Sequence, residues 1–74
     1  MNKQRRDRLG KVLDQISEGM NTVDAVRREE ESSYDNLPES FRDGARGDEM
    51  LDYMEMLQEV SNYLGDVCSV LRLI

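Results

Sequence analysis

At 74 residues the chain has the size of one domain, near the limit at which a single apolar core is marginal and folding commonly draws on a metal, disulfides or a partner subunit. It holds no histidine and one cysteine, Cys68, so an internal disulfide and the usual zinc ligand sets are impossible, and only a partner subunit is left to complete a core. Sixteen acids against ten cations give a net charge of -6, and this acidic balance speaks against a general nucleic-acid-binding surface.

The amino terminus, Met-Asn-Lys-Gln-Arg-Arg, leads into no unbroken apolar run, which argues against a signal peptide or membrane span and for a cytoplasmic protein. Residues 1 to 11 carry Lys3, Arg5, Arg6, Arg8 and Lys11 against Asp7, a local balance of +4, whereas the remainder has five cations and fifteen acids, a balance of -10. Five cations in eleven residues can neutralise phosphates, but no aromatic residue interleaves them for base stacking.

The first predicted helix runs from about residue 3 to 31, with Leu9, Leu13, Ile16, Met20 and Val23 in one heptad-like row and Val12 and Val26 flanking it. Both ends carry the wrong sign for its dipole, cations at the start and Glu29, Glu30 and Glu31 at the finish. An antiparallel pairing of two copies would bring those opposite charges together and set their register.

The connection, 32 to 43, contains Asn36-Leu37-Pro38-Glu39, which matches a capping box with Pro38 in a first-turn position, followed by a short helical turn bearing Phe41. Tyr34, Leu37 and Phe41 are expected to fold over the hairpin end, and Asp43 and Gly44 to supply a cap and a joint for the next helix. The stretch Gly44 to Gly47 could present amides and Arg46 to an anion, but it lacks a preceding strand or a Lys-Ser/Thr pair and reads as a structural turn.

The second helix, about 44 to 72, carries two apolar rows. One is Met50, Met54, Leu57, Ser61, Leu64, Cys68 and Leu71; the other is Tyr53, Met56, Val60, Tyr63, Val67, Val70 and Ile74. Two rows make a face too wide for one neighbouring helix, and the chain offers only one. The expected architecture is therefore all-α: an antiparallel hairpin with facing positions summing to roughly 80, and Gly19 opposite Ser61, dimerising through the second row into a four-helix bundle. Cys68 reads as a small core residue rather than a thiol linking two subunits.

Catalysis is not expected, because no histidine is present, the one thiol has no candidate base beside it, and the carboxylates fall on polar helix faces. Asp48, Glu49, Asp52 and Glu55 lack calcium-loop spacing and read as solvated charge, so neither metal nor cofactor is expected. The expected activity is binding, first to itself and then to another protein through Tyr34, Leu37, Phe41, Arg42 and Arg46. An alternative is a dimer holding a small anion such as a nucleotide signal, with Arg46, Arg42 or Arg27 and Arg28 gripping phosphate and Tyr34 the base. In a third reading the second row docks on a different protein's helix.

The run Glu-Glu-Glu-Ser-Ser-Tyr-Asp-Asn-Leu-Pro-Glu-Ser at 29 to 40, followed by Arg46-Gly47 and Met50, resembles a family of small two-helix proteins encoded in bacterial chromosomes, prophages and other mobile elements. The resemblance covers roughly residues 29 to 60. It implies no catalytic residue, cofactor or established activity, only a phage or mobile-element setting in which a small regulator or inhibitor of a host complex would fit. The chain departs from the family pattern in its richer second row, Tyr53 to Ile74.

Overall fold

The computed structural model describes residues 1–74 and contains helices and no strand. Helix α1 spans Lys3–Asp35, a short α2 spans Glu39–Arg42, and α3 spans Ala45–Leu71. The two long helices pack against each other as an antiparallel hairpin. No helix is long and apolar enough to cross a membrane.

Asn2 starts α1. Its backbone is extended and its side-chain oxygen accepts the Arg5 amide at 2.9 Å, satisfying one of the donors that a helix start leaves free. The helix then runs a turn beyond the expected end at residue 31. Asn36 closes it in a right-handed helical conformation, its amide donating to the Ser32 carbonyl and the following Leu37 amide to the Tyr34 carbonyl, each at 3.1 Å. That commitment prevents the capping box, because an N-cap residue needs extended backbone. Pro38 takes the N-cap position of α2 instead, with no side-chain cap. Asp43 likewise ends α2 rather than starting α3, whose N-cap is Gly44 without a side-chain bond.

The α3 row beginning at Met50 faces α1. Met50 and Cys68 are buried, and Met54, Leu57, Ser61, Leu64 and Leu71 are half-buried. On α1 the half-buried positions include Leu9, Leu13, Ile16, Met20 and Val23, the expected row, which continues into Arg27, Glu30 and Tyr34. The register differs from the expectation. A Cβ at Gly65 would lie 3.7 Å from the Met20 Cε, and Glu30 and Ser33 line one cleft with Tyr53 and Met50, so facing positions sum to about 84. The one-turn extension of α1 moves the hairpin's pivot by the same sense. Gly19 consequently does not make a close approach at Ser61; a Cβ there would meet nothing within 4 Å.

The close approach is instead at Gly47. A Cβ there would fall 2.0 Å from the Arg42 carbonyl oxygen, so α2 lies directly on the first turn of α3. Gly47 is buried for that reason, without an unusual φ.

The molecule is a single layer. Its extents are 59 × 15 × 11 Å and its radius of gyration is 17.1 Å, against about 11 Å for a closed globule of this length. Three of 74 residues are buried: Gly47, Met50 and Cys68.

Candidate interaction surface

At 100° per residue the second α3 row turns about a quarter-circle away from the hairpin seam. Its six members within α3 are exposed, from Val60 at 41% to Tyr63 at 67%, with Tyr53, Met56, Val67 and Val70 between them; Ile74, past the helix end, is 48% exposed and lines a cleft with Leu9, Gly10, Leu13 and Arg72. Nothing in the chain covers this row.

The same face continues onto α1. Glu30 and Ser33 share a cleft with Arg46, Glu49 and Tyr53, which fixes the side of α1 that adjoins the second row. Counting back in sevens from Ser33 on that side gives Val26, Gly19, Val12 and Arg5, one strict heptad line. Val26 and Val12 are exposed at 45% and 38%, and Gly19 offers bare backbone between them. At the helix start Arg5 and Arg8 line a shallow groove with Met1, Leu9 and Val12. One broad face thus combines the valines and glycine of α1 with the tyrosines, methionine and valines of α3. The sequence showed its α3 half, but α1's share was hidden because two valines and a glycine do not make a row until the hairpin register places them beside the richer one.

The opposite flank of the seam has another character. Ser17, Asn21, Gly65 and Arg72 line its cleft with Met20 and Cys68. Gln58 donates to Asn62 at 3.1 Å, and Ser69 donates to the Gly65 carbonyl at 3.1 Å. That flank carries the exposed Leu51 among polar groups that bond within themselves, which leaves the second-row face as the more apolar side of the layer.

The connection residues are brought to one end of the hairpin. Tyr34 and Leu37 are half-buried there, the Leu37 amide bonding to the Tyr34 carbonyl at 3.1 Å. Phe41 does not close the core as expected: its ring is 54% exposed, since α2 turns its Gly47-facing side inward and leaves the phenyl outside. Arg42 is half-buried with an Nε that has no partner, while Arg46 is exposed.

The arginines considered for an anion are dispersed. Arg28 and Arg27 both bond Asp24, the latter at 3.0 Å, and Arg27 also reaches Glu31 at 3.5 Å. Those two guanidiniums, Arg28 first, hold the Asp24 carboxyl below the usual carboxylate range. Arg46 sits a few turns away in the cleft that also contains Glu30 and Glu49. In that cleft the Tyr53 hydroxyl donates to Glu49 at 2.8 Å, and this bond, with the carboxylate's charge, pushes the phenol above its ordinary range. An anion entering there would meet two carboxylates and one guanidinium.

Comparisons with protein-family models, with curated proteins and with solved structures each returned no match to this chain.

Proposed function

We propose that the chain is a non-enzymatic protein-interaction module that first assembles with a second copy of itself, as a four-helix bundle, and then presents the connection between its long helices to a host protein. The observation that carries this reading is the uncovered second row: its six apolar members within α3 are exposed while only Met50 and Cys68 form a buried apolar core. Exposed apolar faces of that extent mark sites of association, and a helical layer this thin becomes a bundle when two copies stack. Self-association would cover the row and leave the end bearing Tyr34, Leu37, Phe41, Arg42 and Arg46 accessible. Exposed Phe41 and Arg46 are residue types that anchor protein contacts.

The resemblance of residues 29 to 60 to two-helix proteins of phages and mobile elements supports a regulator or inhibitor acting on a bacterial host complex. Affinity capture from bacterial extract tests it. Capture of one defined protein should be lost in Phe41→Ala, Arg46→Ala and retained in an exposed polar-flank control, Asn62→Ala. Equal capture by all variants would refute the assignment of the connection as the contact. The small-anion reading has less support, because Arg27 and Arg28 are engaged by Asp24 and the Arg46 cleft is acidic.

A further inference from the structure

Resting on the self-association just proposed, we infer that the second copy lies antiparallel, α3 upon α3 and α1 upon α1, in the register where facing residues of α3 sum to 123. Tyr53 then faces Val70 of the other copy, Met56 faces Val67, and Tyr63 faces Val60. Each layer sets one long side chain against one valine, so the layers fill similar volumes, as close packing requires. Laid parallel in register, the same row would set tyrosine on tyrosine in two layers and valine on valine in three.

Charge selects the same orientation. Arg5 and Arg8 lie on this face at the start of α1, beside Val12. Glu30 and Glu49 lie on it at the other end of the hairpin, and Asp52 borders it there. Turning one copy end for end brings Arg8 of each chain to within a helical turn, along the axis, of Glu49 of the other, with Arg5 opposite Glu49 and Arg8 opposite Asp52 each offset by about a turn and a half. A parallel arrangement would gather like charges at both ends, and such juxtaposition is a common device against wrong pairing.

The hairpin's own facing sum of about 84 carries the register across to α1. Residues of α1 opposite one another in the two copies then sum to about 45, which places Gly19 against Val26. Gly19, whose missing side chain meets nothing within its own chain, becomes the position where the second copy's valine comes closest to backbone. The two-fold axis lies across the helices, so this contact is made twice.

Cysteine cross-linking tests the register in a Cys68→Ala background. Met56→Cys is mixed with Val67→Cys, and Tyr53→Cys with Val70→Cys, each beside the variants alone, with helicity and mass measured before oxidation. Mixed pairs are expected to cross-link, and single variants are not. Like positions 56 and 56 lie 11 residues out of register, roughly 16 Å along the axis, beyond the reach of a disulfide. A helical dimer whose mixed pairs fail, or whose like positions cross-link, overturns the orientation while self-association stands; a helical monomer overturns both. Independently of cysteine, Gly19→Leu should weaken the dimer about tenfold or more and Gly10→Leu, on the opposite flank, should not. Equal effects of the two leucines would overturn the α1 contact.

Discussion

Gly47 and Gly10 are both helical glycines, and the space around them gives opposite expectations for the same substitution. An alanine at Gly47 would meet the Arg42 backbone, which is not a flexible side-chain tip, so α2 must lift away; Gly47→Ala should cost on the order of 1–3 kcal/mol in thermal or denaturant unfolding. Gly10 has open space beyond its Cα, and Gly10→Ala should stabilise by up to about 1 kcal/mol through helix propensity. Cys68, at 2% exposure, should react with a thiol reagent only as fast as the hairpin opens, so its labelling rate reports unfolding. The ionisable residues give signed pH effects. Asp24 is held below its ordinary 3.8, so its contribution is complete above that value and is lost as pH falls from 3.8 through the depressed one; Asp24→Asn should remove this acid-limb dependence in a helicity titration. Tyr53 is shifted the other way, above 10.0, so its bond to Glu49 persists below pH 10 and is lost as pH climbs through the raised value. Phenolate absorbance should show Tyr53→Phe removing a component that titrates above pH 10.

At the scale of elements, the amphipathic pattern of α3 is what makes the fold readable. Its two rows separate cleanly into one against α1 and one exposed, and both were visible from spacing alone, as were the start of α1 and the extent of α3. The end of α1 was not, because Ser32, Ser33 and Asp35 have middling helix propensity and Asn36-Leu37-Pro38-Glu39 offers a competing N-cap pattern. In the fold the helix carries through these residues and uses Asn36 to finish. Three later misplacements descend from that one turn: the facing sum moves from about 80 to about 84, Gly65 rather than Gly19 lies under a side chain of the other helix, and Pro38 becomes a cap. Of the candidate surface, the α3 row was legible and the α1 contribution was not, since Val12, Gly19 and Val26 acquire meaning only from the register. The role of Gly47 was equally hidden, because a Gly-Ala-Arg-Gly stretch signals a turn without indicating which glycine is crowded. Met20→Ala should test the observed packing over Gly65, costing about 1–3 kcal/mol at this half-buried site, at or below the usual range for a core methionine.

The whole molecule is a layer 11 Å thick in its shortest extent, with a polar, internally bonded flank on one side of its seam and an apolar face on the other. A chain with three buried residues in 74 has little with which to offset its conformational entropy, and the proposed stacking of a second layer on the apolar face would supply the missing burial. Stability should therefore depend on protein concentration, with the thermal midpoint rising on concentration and falling on dilution. The most direct test of this account is the mass of the purified chain by light scattering across a dilution series, beside a Val60→Glu, Tyr63→Glu variant. A wild-type dimer that the two glutamates reduce to monomer is the result expected. A wild type that stays monomeric while fully helical, or a variant of unchanged dimeric mass, would contradict the assignment of the second row as the face through which two copies assemble.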